Sequence, residues 1–286
     1  MTVSTATAGA KPAVSRPFAF SLVELLVVIT VIVVLLALLA PAMDQAIYEA
    51  ELTVCGAKLR GVAGSVQTYA MGSKRRYPYR LGVSNLAGER PIVVAYNGNP
   101  VTGNKEDRPM FRTFLDINAM FNCPLVQEVD IDGSDNDTLA YASIALWFDW
   151  RYRFPEEKGM YRLGDRFTWT AGGQVNRFSV LASDWDQLFR GNPDQYGNSH
   201  PDKENVMTNE PRQDWRGYGA GGAFKATFSF WGSRNRRGDV DNNFAYDDGS
   251  VRRFDDMKIV DPRMVVIPQV SEGYSKQSWD SQLPRE

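Results

Sequence analysis

From Leu25 to Ala40 the chain reads LLVVITVIVVLLALLA without a single charge, and the uncharged stretch continues to Met43, 19 residues in all. Coiled as a helix it would be about 28 Å long, close to the roughly 30 Å hydrocarbon core of a bilayer. The pattern predicts one membrane-spanning helix near the N-terminus. Beyond it the periodicity changes. Leu52, Leu59, Val62, Val66 and Tyr69 recur at helical spacing and draw one apolar face on a helix from Asp44 to about Met71. Gly72 to Pro100 is rich in Gly, Pro, Arg and Asn and reads as an irregular connection. A short helix is expected over Phe111 to Met120, and strands over Phe167 to Thr170, Phe178 to Ser183 and Phe224 to Trp231. Phe244 to Phe254 is the best hairpin, with Asp248-Gly249 as a two-residue turn. Met264 to Ile267 is a last strand stopped by Pro268, and the polar tail after Ser271 is expected to be loose. The fold class that follows is α+β: a long N-terminal helix, membrane-spanning in its first half, packed on an antiparallel-sheet head domain.

Charge sets the orientation of the apolar segment. Lys11 and Arg16 precede it with no acidic residue, whereas Asp44, Glu49 and Glu51 follow it. Positive flanks stay on the cytoplasmic side, so the N-terminus is expected inside and the large domain outside. Over all 286 residues, 32 Lys+Arg face 34 Asp+Glu, a net charge of -2, which argues against a nucleic-acid partner. A single histidine, His200, and two cysteines, Cys55 and Cys123, exclude most histidine-dependent catalysis. They also leave too few ligands for an ordinary Cys/His zinc site. His200 lies in Asn198-Ser-His200-Pro201 and is expected on the surface. In an oxidising compartment Cys55 and Cys123 are candidates for one disulfide; Cys55 packed as a small hydrophobe is the alternative.

A secretory signal peptide, cut near Ala40-Pro41-Ala42, is the plain alternative to a membrane helix. It leaves Glu24 without a reason, because a carboxylate at the edge of an apolar segment is costly and points to a role.

The segment Ala19-Phe20-Ser21-Leu22-Val23-Glu24-Leu25-Leu26 resembles the processing site of type IV pilins and type II secretion pseudopilins. Their pattern is a small residue, normally Gly, followed by Phe-Thr-Leu-Val-Glu-Leu-Leu and an apolar helix. Ala19 stands here for Gly and Ser21 for Thr. The resemblance continues through Cys55-Gly-Ala-Lys-Leu-Arg-Gly-Val-Ala-Gly-Ser-Val-Gln-Thr-Tyr69 and Tyr77-Pro78. It reappears at Phe121-Asn-Cys123-Pro124 and Leu139-Ala-Tyr141. A long-head subgroup ends in a His-x9-Asp-Gly motif. Asp248-Gly249 fits its end, and Gly238 stands where the histidine would be. The resemblance implies cleavage between Ala19 and Phe20 by a prepilin peptidase and N-methylation of Phe20. It implies assembly with other pilin or pseudopilin subunits in a type II secretion or pilus-like filament. The protein would sit in the inner membrane as a single-pass, non-enzymatic subunit with a periplasmic head. Residues 1–19 would be a cytoplasmic leader, 20–43 the transmembrane helix, 44–72 its amphipathic continuation and 73–286 the mainly β head.

In such a bundle Glu24 would pair with the Phe20 amino group of a neighbouring subunit, since an unpaired buried charge is costly, and the helix macrodipole favours a carboxylate in the first turn. Pro41 removes a backbone donor, so it either hinges the helix or marks the membrane boundary. The alternative function is a membrane-anchored binding module for carbohydrate or protein, with the helix only a tether. A secreted hydrolase starting near Asp44 is a third reading.

Other motifs weigh less. Asp130, Asp132, Asp135 and Asp137 are dense in oxygen ligands but miss EF-hand spacing; calcium there is the one cofactor the sequence suggests. Asp239-Val-Asp241-Asn-Asn243 offers a similar set. Gly217-Tyr-Gly219-Ala-Gly-Gly222 satisfies the dinucleotide pattern by letters but lacks a following helix. Asp184 and Asp186 beside Trp185 form a carboxylate pair of the kind glycoside hydrolysis uses.

Overall fold

The computed structural model describes residues 21–79, 93–96, 105–106, 108–125, 139–141, 144–148, 159–184, 186–189, 196–198, 200, 224–226, 229–231, 240–258, 261–270 and 278–286. The chain forms two compact units, Met1–Ile47 and Tyr48–Glu286. Helix α1 (Leu22–Gly72) contributes to both.

In the first unit every residue from Ser21 to Ile47 is exposed, on all faces of the helix. A run of Leu, Val and Ile with no polar face cannot be a surface helix in water. It is long and apolar enough to cross a membrane. The helix starts on a reciprocal cap. Ser21 Oγ accepts from the Glu24 N–H at 3.2 Å, and Glu24 Oε2 accepts from the Ser21 N–H at 2.8 Å. This Ser-x-x-Glu capping box satisfies two donors that the first helical turn otherwise leaves orphaned. Pro41 lies inside the helix, which runs through it unbroken.

In the second unit α1 becomes one-sided. Tyr48, Leu52, Cys55, Leu59, Val62 and Val66 are buried at alternating four- and three-residue steps, and Gly56, Ala63 and Ala70 add a small-residue stripe beside them. Tyr69, expected on this face, is only half-buried, and its ring lies 5.2 Å from that of Phe114. The small residues let the sheet come close: a Cβ on Gly56 would meet Asn243 Oδ1 at 3.4 Å.

Among the described residues two short helices and fifteen strands follow this helix in the chain. The expected helix over Phe111 to Met120 is divided into α2 (Arg108–Phe111) and α3 (Ile117–Phe121). Asp116 adopts an extended conformation and its side chain accepts from the Ala119 N–H at 3.0 Å, so it starts a second helix. One antiparallel sheet has the order β13 (Val251–Met257), β12 (Val240–Tyr246), β7 (Val180–Asp184), β4 (Ile144–Leu146). A second runs β11 (Ser229–Trp231), β9 (Tyr196–Asn198), β8 (Asp186–Phe189), β15 (Ser278–Pro284), β14 (Met264–Val270). A third contains β10 (Phe224–Ala226), β3 (Leu139–Tyr141), β1 (Val93–Tyr96) and β2 (Lys105–Glu106), with β10 and β3 parallel. The strands β5 (Phe167–Ala171) and β6 (Gln174–Phe178) form a separate hairpin. The main core joins Leu59, Val62 and Val66 of α1 to Phe111, Phe121, Trp147, Phe148, Phe167, Phe178 and Phe244.

Several expectations are corrected in detail. The β12–β13 hairpin is present, but its loop is longer than two residues. Gly249 N–H donates to Tyr246 O at 3.1 Å and Tyr246 N–H to Ser250 O at 2.9 Å, a three-residue loop closed by Gly249 at φ +80°. Phe224 to Trp231 is two strands in different sheets, and Phe178 and Val180 belong to successive strands broken at Ser179. Strand β14 continues through Pro268 to Val270; among the described residues it is the last strand of its sheet, where a missing N–H need face no neighbour. The polar tail is not loose: Ser278–Pro284 pairs on both sides, with β8 and with β14. The Gly72–Pro100 connection contains β1.

Candidate functional site

Two places hold the residues to which the sequence gives a role. The first is the start of α1. Glu24 stands in its first turn with its carboxylate turned back onto Ser21, and Pro41 is exposed nineteen residues from Leu22 along the helix. Ala19 and Phe20, with Lys11 and Arg16, lie outside the described residues, as do Asp130, Asp132, Asp135, Asp137, Gly217–Gly222, Asp239 and Gly238.

The second place is a buried polar joint between α1 and strands β7 and β12. Cys55 on α1 and Cys123, two residues past the end of α3, form a disulfide with their Cα atoms 5.7 Å apart. Tyr48, Leu52 and Leu125 pack around it. The loop beside it is pinned: Lys58 Nζ donates to the Asn122 carbonyl at 2.8 Å. Strand β12 brings Asp241 and Asn243 to the helix. Tyr48 Oη donates to Asp241 Oδ2 at 3.1 Å, and the Asp256 N–H donates to Asp241 Oδ1 at 2.9 Å. Asn243 reaches across with both donors to Asp184 Oδ2, from its backbone at 2.6 Å and its amide at 2.9 Å, while the same amide lies 3.4 Å from the Leu52 carbonyl.

His200 closes the joint. Expected on the surface, it is fully buried. Its Nδ1 meets the Asp241 carbonyl. A carbonyl can only accept, so Nδ1 carries the proton. Nε2 lies 3.4 Å from Asp184 Oδ2. Burial pushes the Asp184 carboxyl up, with His200 and the Asn243 hydrogen bonds pulling it down in part. Burial also pushes the Tyr48 hydroxyl up, with the Asp241 carboxylate adding to it. Asp184 Oδ1 is buried without a hydrogen-bond partner among the described residues.

The structure therefore revises the motif readings. Asp241, Asn242 and Asn243 are strand residues buried in the sheet, not a cation loop. Asp184 and Asp186 are both buried, the first bound by Asn243 and the second accepting from Gln282 Nε2 at 3.0 Å, so neither lines an open sugar cleft. The sole histidine and both cysteines, too few in number to suggest a centre, converge: their ligand atoms all lie within 4.8 Å of one another. No spacing in the sequence signals this, since position 55 lies on a helix and positions 123 and 200 outside the regular elements, far apart in the chain. The Ser21-x-x-Glu24 box, by contrast, is legible as a helix start.

No protein family, curated protein or solved structure matches this chain.

Proposed function

We propose that the protein is a pseudopilin-like structural subunit. It is cut between Ala19 and Phe20 by a prepilin peptidase, methylated on the new Phe20 amine, and assembled through its N-terminal helix into a type II secretion or pilus-like filament. The observation that supports this reading is the helix from Leu22 through Met43, apolar and exposed all round, with Glu24 as its only charge. A plain membrane tether needs no carboxylate there. A filament does: with subunit helices bundled, Glu24 and a neighbour's Phe20 amine neutralise one another where either alone would be costly. The head contributes contacts between subunits rather than catalysis, and the inner membrane stores the subunit before assembly.

The capping box makes a sharper test than alanine. Glu24→Ala removes charge and cap together. Glu24→Gln keeps a side chain that can accept from the Ser21 N–H and removes only the charge. Loss of filaments in cells with Glu24→Gln, at normal membrane levels of the protein, is the expected result. Normal filaments with Glu24→Gln and loss with Glu24→Ala would assign Glu24 to the cap alone. Intact-mass and N-terminal sequencing of membrane-extracted protein tests the processing step. The expected start is N-methyl-phenylalanine at Phe20; retention of residues 1–19 favours the tether.

A further inference from the structure

We propose that the joint of Cys55, Cys123 and His200 is a redox-gated site for a soft divalent cation of the zinc type. The cation and the disulfide are alternative closures of the same joint. The chain has two cysteines and one histidine in 286 residues, and all three meet, buried, with ligand atoms within 4.8 Å of one another. A tetrahedral ion with Zn–S bonds of about 2.3 Å and Zn–N bonds of about 2.0–2.1 Å holds its ligand atoms roughly 4 Å apart. Once the sulfurs are no longer bonded, small movements reach that geometry.

The surroundings suit such an ion. A ligating imidazole normally gives its other N–H to a carbonyl or carboxylate, which fixes its tautomer. His200 does this: Nδ1 is committed to the Asp241 carbonyl, which leaves Nε2 as the electron-pair donor. The fourth ligand is Asp184, which stands outside the cluster of the other three ligand atoms and closes in once the ion binds. Its Oδ2 is 3.4 Å from Nε2 and held by Asn243, and its buried Oδ1 has no hydrogen-bond partner among the described residues. A cation between carboxylate and imidazole takes the place of a shared proton. The two thiolates by themselves balance the divalent charge.

The chemistry balances with a trialkylphosphine as reductant. The S–S bond breaks, each sulfur gains one electron and one proton, and phosphorus is oxidised to the phosphine oxide with the oxygen of one water. Zinc then binds Cys55 Sγ, Cys123 Sγ, His200 and Asp184, and the two thiol protons are released. In a cell the reductant is a dithiol, and the redox poise of the compartment selects the form. The site is independent of how the N-terminal helix is used.

The test uses the full chain in detergent, oxidised and phosphine-reduced, titrated with Co²⁺ and then Zn²⁺. The reduced protein is expected to bind one equivalent of Co²⁺ with the near-ultraviolet charge-transfer band that thiolate ligation gives, and Zn²⁺ is expected to displace it. The oxidised protein is expected to show no such band. Asp184→Asn, which takes away an anionic ligand, is expected to weaken binding by roughly a hundredfold or more, beyond the range seen when only an outer-shell partner is lost. Thiol alkylation of reduced wild-type protein needs no variant: zinc is expected to slow it, and a chelator to restore it. Equal alkylation rates with and without zinc would overturn the proposal. So would metal binding of equal strength in the oxidised form, which would place the ion on an oxygen-rich segment elsewhere.

Discussion

Tyr246 and Tyr77 carry their hydroxyls into the core, where neither finds a hydrogen-bond partner among the described residues. Burial pushes both phenols up from 10.0 to about 12. Tyr48 is pushed up as well, by burial and by Asp241. The sign follows directly: the native state keeps these protons when the unfolded chain has lost them. The contribution of Tyr77 and Tyr246 is fully present below pH 10.0 and is lost as pH rises toward about 12. Tyr246→Phe should flatten that alkaline loss. At neutral pH it should also stabilise by about 1 kcal/mol, because it removes an unsatisfied buried hydroxyl. Denaturant midpoints at neutral and alkaline pH check both halves, and a midpoint that falls at neutral pH would contradict them.

Among the elements, α1 changes character along its length. Up to Ile47 its described residues are all exposed; from Tyr48 one face of it is buried. The disulfide ties that core portion to the end of α3 across a sequence separation of 68 residues. Closing a loop of that length is worth roughly 4 kcal/mol through the unfolded chain. The double variant Cys55→Ser/Cys123→Ser should therefore unfold at clearly lower denaturant than the oxidised protein. A midpoint equal to the wild type would show that the bond constrains little. Leu59, fully buried on the same helix, offers a control outside the joint: Leu59→Ala should cost about 2–5 kcal/mol whether or not the disulfide is formed. Alternating apolar spacing makes this helix legible in the sequence, but only for large residues. Gly56, Ala63 and Ala70 carry no signal of burial; Gly56 is buried by the approach of Asn243 and Val251 from the sheet.

At the scale of the whole molecule, α1 carries a segment long and apolar enough to cross a membrane. Val34 sits near the middle of the exposed run, where an arginine costs about 2.5–3.5 kcal/mol to insert. Val34→Arg should move the protein out of the detergent-extracted membrane fraction, and fractionation with immunodetection reads the result. The wild type should resist extraction by high salt, because apolar burial rather than surface charge holds it. The head owes its closure to the C-terminus. Strand β15, whose sequence SWDSQLP has no apolar alternation, lies between β8 and β14 with Ser281, Gln282 and Leu283 buried. Glu286 then accepts from the Ser179 backbone and hydroxyl at 2.7 and 2.8 Å. Polar strands of this kind are invisible to periodicity, since their partners rather than their own side chains make them strands.

The sequence by itself determined what depends on near neighbours: the apolar span and its length, the cap at Ser21 and Glu24, the one-sided helix beyond Asp44 and the glycine that turns the β12–β13 hairpin. Hydrophobic periodicity, capping and positive φ are local, so their signals survive in one dimension. Only the tertiary structure decided that His200 is buried rather than exposed, that Cys55 and Cys123 join, and that Asp184, Asp241 and Asn243 face the helix instead of a ligand cleft. Those are contacts between residues far apart in the chain, and their energy comes from desolvation and from partners that no spacing encodes.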